Sequence, residues 1–98
     1  MDADGYPTEK ELQAIREWSW RDFAGLMEYL RERWAYAECG YWYQDGNTYR
    51  LSTAGWSGNE DMIRALQENR IFWSLCWLSS RRGGHYEFEI RTGRDAGG

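Results

Sequence analysis

Ninety-eight residues with a net charge of −4 make one domain, of a size that hides only about 60–65% of its extended surface on folding. Cys39 and Cys76 lack CxxC spacing and His85 is the single histidine, which excludes the usual zinc sets. No apolar run approaches the ~20 residues of a membrane span, and the N-terminus carries no basic-then-apolar signal. The expectation is a cytoplasmic protein with buried, reduced thiols, no metal and no cofactor.

Residues 1–7 are small and polar and read as a flexible N-terminus. Thr8 with Glu11 forms a capping box behind Pro7, so a short helix is predicted from about Glu9 to Glu17, burying Leu12, Ile15 and Trp18. Ser19 or Asp22 restarts a second helix. Phe23, Leu26, Met27, Leu30 and Trp34 recur with the spacing of one buried stripe, and Glu28, Arg31, Glu32 and Arg33 face solvent. The helical period ends at Cys39-Gly40. Tyr41 to Gln44 and Asn47 to Leu51 flank Asp45-Gly46, a hairpin signal. A two-residue loop there pairs Gln44 with Asn47 and Trp42 with Tyr49, leaving Tyr41 and Tyr43 beside Thr48 and Arg50 on the other face.

Leu51 to Glu60 carries a strand through a Gly/Ser turn into a helix start. Ser57 and Glu60 are spaced as a second capping box, and Trp56 lies just outside it. A helix over 58–69 is predicted, with Met62, Ile63 and Leu66 inward and Asn69 as its stop. Ile71 to Ser79 reads as a central strand, apolar on both faces, with Phe72, Cys76 and Leu78 on the side of Glu87 and Glu89. Arg81-Arg82-Gly83-Gly84 turns the chain into the alternating strand His85–Arg91. Trp73, Leu75 and Trp77 then join Tyr86, Phe88 and Ile90. Residues 92–98 read as a flexible tail. The order α-α-β-β-α-β-β implies an α+β two-layer sandwich over residues 8–91, with two hairpins forming a four-stranded antiparallel sheet and helices on one face.

Charge is divided unevenly. Residues 1–40 hold nine acids and five bases, and residues 41–98 hold seven of each. That opposes nonspecific DNA binding and suits a basic protein partner. Eleven of the twelve bases are Arg, the bias of a GC-rich coding genome. Seven Trp, seven Tyr and three Phe exceed what so small an interior holds, so some rings are expected at the surface, where Trp, Tyr and Arg favour partner contacts.

Three places can carry binding. At the Trp56 corner, the amides of a helix start with Ser57, Gly58 and Asn59 can hold an anion while Trp56 stacks on a ring; the alternative is a capped helix under a Trp lid. Arg81, Arg82 and His85 at one hairpin tip can bind phosphate or an acidic partner, or merely flank a solvated turn. Tyr41, Tyr43, Arg50, Phe72 and Leu78 on the open sheet face can stack bases or form a protein-binding or homodimer face. No Ser/His/Asp order and no nucleophile elbow is present, so no enzyme is expected.

Leu51-Ser52-Thr53-Ala54-Gly55-Trp56-Ser57-Gly58-Asn59-Glu60, Phe72-Trp73-Ser74-Leu75-Cys76-Trp77 and Ser80-Arg81-Arg82-Gly83-Gly84-His85-Tyr86 lie within a core, about Trp18 to Ile90, that resembles small proteins of unknown function encoded by phages and prophages of GC-rich bacteria. The resemblance implies a phage accessory protein and assigns no residue roles. Short, acidic, aromatic-rich phage products often occlude a host machine, as anti-CRISPR proteins do. The expectation is therefore an anti-CRISPR-like inhibitor that binds a host nucleic-acid-handling or defence complex; the alternative is a small nucleic-acid or nucleotide/phosphate-binding module.

Overall fold

Thr8 opens the first helix, α1 (Glu9–Arg16), in the computed structural model, which describes residues 6–90. The Thr8 hydroxyl accepts from the Glu11 amide at 3.2 Å and the Glu11 carboxylate accepts from the Thr8 N–H at 2.8 Å, the reciprocal cap that the sequence predicts. Ser19 caps a 3-10 turn at Trp20–Asp22, and Asp22 caps α2 (Phe23–Arg33), so both expected restart residues are used. The predicted stripe from Phe23 to Trp34 is buried along its whole length. Each such side chain contributes roughly 1.5–3 kcal/mol. Glu11 also receives the Arg33 guanidinium. Burial opposes its charge, and the bonds from Thr8 and Arg33 are among the causes that outweigh burial and lower the carboxyl to about 2 from an ordinary 4.5.

After a 3-10 turn at Ala37–Cys39, the first hairpin is β1 (Trp42–Asp45) and β2 (Thr48–Ser52). Its loop is Gly46-Asn47, not Asp45-Gly46: Asp45 pairs with Thr48, Gln44 with Tyr49, and Trp42 with Leu51. Gly46 supplies the positive φ at the first loop position, the glycine-first pattern of II′ loops, and Asn47 needs none. The Asn47 carbonyl then accepts from Ile90 N–H at 2.8 Å, which favours this loop over the expected one. Each partner has moved by two residues, so facing is unchanged and Trp42, Tyr49 and Leu51 stay buried.

Helix α3 (Ser57–Glu68) starts without the expected box. Trp56 is the capping residue, and its carbonyl already accepts from Glu60 N–H at 3.1 Å. Ser57 is inside the first turn and has no Glu60 amide left to cap. The Glu60 carboxylate instead accepts from the Thr53 hydroxyl at 3.3 Å.

Asn69 ends α3 and at once starts α4 (Arg70–Cys76). Its Oδ1 accepts from Phe72 N–H at 3.2 Å while Nδ2 donates to the carbonyls of Ile15 and Trp18 at 3.0 and 3.2 Å. The expected strand over Ile71–Ser79 is therefore half helix. Phe72 and Cys76, four apart, are fully buried instead of lying on the open face, whereas Ile71 and Leu75 are exposed. The strand β3 is Trp77–Arg81 and lies at an edge of the sheet, not in its middle. A bulge at Leu78 keeps Trp77 opposite Phe88, and Trp77 stacks on Trp73 at 5.9 Å. A three-residue loop, Arg82-Gly83-Gly84, leads into β4 (His85–Glu89), with Arg81 opposite His85.

The four strands form one antiparallel sheet in the order β1-β2-β4-β3. Trp42, Tyr49, Leu51 and Phe88 turn to the helices, with Phe72 wedged between Phe88 at 5.3 Å and Phe23 at 5.1 Å. Tyr43, Arg50 and His85 point the other way and are exposed. This is the expected α+β sandwich. Cys76 is buried as expected, but Cys39 is exposed in the 3-10 turn. Residues 1–5 and 91–98, read as flexible ends apart from Arg91, lie outside the described residues. Tyr6 and Pro7 are half-buried: Tyr6 stacks on Trp56 at 4.7 Å, and Pro7 packs beside Gly58. All three Phe are buried, whereas Trp20, Tyr36, Tyr41, Tyr43 and Trp77 are 37–56% exposed. The rings at the surface are those with a polar atom.

Candidate interaction surface

The turn between β2 and α3 is tight because Ala54 and Gly55 both take left-handed φ, 57° and 71°. That bend throws the Trp56 ring back across the first turn of α3. Gly58 permits it: a Cβ there would lie 2.7 Å from Trp56 Nε1 and 3.2 Å from Pro7 Cδ. Tyr6 covers one side of the indole, and Tyr36 meets it edge-on at 6.4 Å. Tyr36 in turn lies 6.3 Å from Tyr41. Tyr36, itself at φ 62°, is 56% exposed and Tyr41 37%. Four rings thus form a continuous belt, three of them with phenol hydroxyls. Trp56 and Tyr41 were legible as site residues; Tyr36 had no pattern to mark it.

A shallow groove of about 260 Å³ crosses the outer sheet face beside Tyr41, lined by Tyr43, Arg50, Ser52, Arg81, His85 and Glu87 among others. The β2–β4 register sets Ser52 opposite His85 and Arg50 opposite Glu87. Ser52 Oγ and His85 Nδ1 are 2.7 Å apart. Arg50 donates to Glu87 at 3.1 Å and lies 5.6 Å from the Tyr43 ring, while Ser79 donates to the second Glu87 oxygen at 2.8 Å. The Ser79 bond, aided by Arg50 and Arg81, keeps the Glu87 carboxyl below the usual range. The Arg81 side chain makes no hydrogen bond or ion pair among the described residues. The groove can therefore accept one anionic group at Arg81, with Glu87 limiting the charge it tolerates.

Tyr43, Arg81 and His85 are gathered in this groove, and Tyr41 joins it to the belt through the bond from Ser52 N–H to the Tyr41 carbonyl, 2.9 Å. The corner and the hairpin tip adjoin through Thr53 N–H, which donates to the Gly84 carbonyl at 3.0 Å. Ser57 and Arg82 are exposed with no side-chain hydrogen bond among the described residues. Asn59 is fully buried: it accepts from Ala35 N–H at 2.9 Å and donates to the carbonyls of Ala35 and Thr53 at 3.2 and 3.4 Å. Its amide ties the α2–β1 link to the corner. Phe72 is core, and Leu78 is exposed on the edge strand.

The Ser52–His85 pair has no carboxylate bonded to the imidazole among the described residues, and Glu60 bonds Thr53 rather than His85. Among those residues no group of three or more His, Cys, Asp or Glu could hold a metal ion, and no helix is long and apolar enough to cross a membrane. No protein-family model, curated protein or solved structure matches the chain.

Proposed function

We propose that this chain is a protein-interaction module that acts by covering the surface of another protein. The observation that carries the reading is the belt of Tyr6, Trp56, Tyr36 and Tyr41, in which Tyr36 and Tyr41 are exposed on the half-buried Tyr6–Trp56 stack, joined by the Tyr41 backbone to the Arg-bearing groove. Tyr, Trp and Arg dominate the binding energy of such contacts, because each buries a large area with few rotors and keeps a polar tip for the rim. The partner class proposed is a host protein or protein–nucleic-acid complex in the bacterial cytoplasm, occluded sterically as an anti-CRISPR-like inhibitor would do. The phage resemblance and the acidic first forty residues support that narrower statement. Co-purification with mass spectrometry from a GC-rich bacterium, paired with a plaque assay in a defence-positive strain, tests it. Recovery of a defence or replication protein, with restored plaques, is the expected result; neither appearing overturns it.

The second reading, a nucleotide or phosphate binder, is favoured by Arg81, His85 and Ser52 facing one groove. Trp fluorescence titrated with oligonucleotides at two salt concentrations decides it, since phosphate binding must weaken with salt. A flat trace at both concentrations removes that reading.

A further inference from the structure

We propose that the channel between the free edge of β1 and helix α2 receives an extended, basic segment of the partner protein, added to the sheet as a fifth strand. This names how the partner is held and rests on the interaction reading above. β1 stands first in the order β1-β2-β4-β3 and, among the described residues, pairs only with β2, so one edge of Trp42–Asp45 presents backbone N–H and C=O groups with no described strand beside them. Strand addition uses such an edge, with main-chain bonds for affinity and side-chain pockets for specificity.

The channel has a second wall. A space of about 540 Å³ is lined by Glu28, Arg31 and Glu32 of α2 and by Trp42 and Gln44 of β1. A further hollow of about 480 Å³ shares Arg31 and Glu32 and runs on to Tyr36 and Glu38, so the channel opens onto the aromatic belt. Three acids line these walls against one base, and Glu28, Glu32 and Glu38 make no ion pair among the described residues. Glu28 and Glu32, one helical turn apart, repel each other, and a cation set between them relieves that.

Spacing agrees with a strand as the occupant. Side chains on one face of a strand recur every ~6.7 Å, and residues four apart on a helix rise ~6 Å. Two basic residues two apart on the added strand therefore match the two carboxylates. Trp42 supplies an independent sign. Trp42 lines the channel, and its buried indole N–H has no acceptor among the described residues, in a side chain only 9% exposed. Buried donors almost always have partners, and an incoming strand brings carbonyls to that wall.

The test is NMR titration of the full chain with a capped hexapeptide alternating lysine and threonine. The controls replace lysine with glutamate, or a central residue with proline, which cannot donate to a sheet edge. The expected result is shifts at the amides of residues 42–45 and at the Trp42 indole N–H, with no binding by either control. Glu28→Gln with Glu32→Gln, both exposed and outside the core, should weaken binding roughly three- to tenfold. Absence of shifts, shifts confined to another face, or equal binding by the proline peptide overturns the proposal. A partner captured from lysate with equal yield by the E28Q/E32Q chain would overturn the channel while leaving the interaction reading in place.

Discussion

Replacing Gly84 with alanine should cost more than any other glycine change in the second hairpin. Gly84 has φ 79°, where an L-residue pays about 1–2 kcal/mol. A Cβ there would also overlap Thr53 Oγ1 outright and lie 3.3 Å from Thr53 Cβ. Thr53 is 1% exposed and bonded to Gly84 and Glu60, so it has nowhere to yield, and overpacking of that kind costs about 1–3 kcal/mol. The sum, about 2–5 kcal/mol, is a large part of the roughly 5–15 kcal/mol that a domain possesses. Gly83 is the control: its φ of 90° brings the same backbone strain, but a Cβ would meet only the His85 ring, at 3.2 Å. Urea unfolding followed by Trp fluorescence should put G84A below G83A by about 1–3 kcal/mol, and Thr53→Ala should recover part of that difference in the G84A background. Equal midpoints for G83A and G84A would refute the close packing of hairpin tip on corner.

Glu11 is held at about 2 in the folded chain against an ordinary 4.5, so the unfolded chain takes up this proton first. Its contribution is complete at neutral pH, declines as pH falls below about 4.5 and is gone near 2; Glu11→Gln should flatten that part of an acid-unfolding curve. Asn69→Ala removes a helix cap and two bonds to buried carbonyls and should destabilise by about 2–4 kcal/mol in the same urea assay. Ala54→Gly relieves a left-handed alanine and should be neutral to stabilising by up to about 1 kcal/mol, read from the thermal midpoint.

What the sequence made legible is what local chemistry decides. The Thr8–Glu11 box and the Phe23 to Trp34 stripe depend on spacing alone, and both are present. The first hairpin kept its faces although its loop moved, because a shift of two residues preserves alternation. Residues 71–76 are helical, yet they resemble a strand because of their aromatic and apolar side chains. Asn69 reverses that: one side chain caps a new helix only when the carbonyls of Ile15 and Trp18, more than fifty residues away, hold its other end. Ser57 differs from its expected capping role for a related reason. A helix that starts one residue earlier, behind a left-handed Ala54, turns an apparent cap into a first-turn residue. In the candidate site, Tyr43, Arg81 and His85 were legible by type, but their meeting with Ser52 and Arg50 follows from the β2–β4 register. Tyr36 enters the belt only through a left-handed link that no motif announces.

The central claim is that the exposed rings form a contact surface, and comparative affinity capture tests it most directly. Wild-type chain, Tyr36→Ser/Tyr41→Ser and Tyr36→Phe/Tyr41→Phe would be used as baits on one bacterial lysate, with quantitative mass spectrometry as the readout. The account predicts at least one protein enriched by the wild type, reduced tenfold or more by the serine pair and largely retained by the phenylalanine pair. The same proteins recovered by all three baits, or none by any, would contradict it.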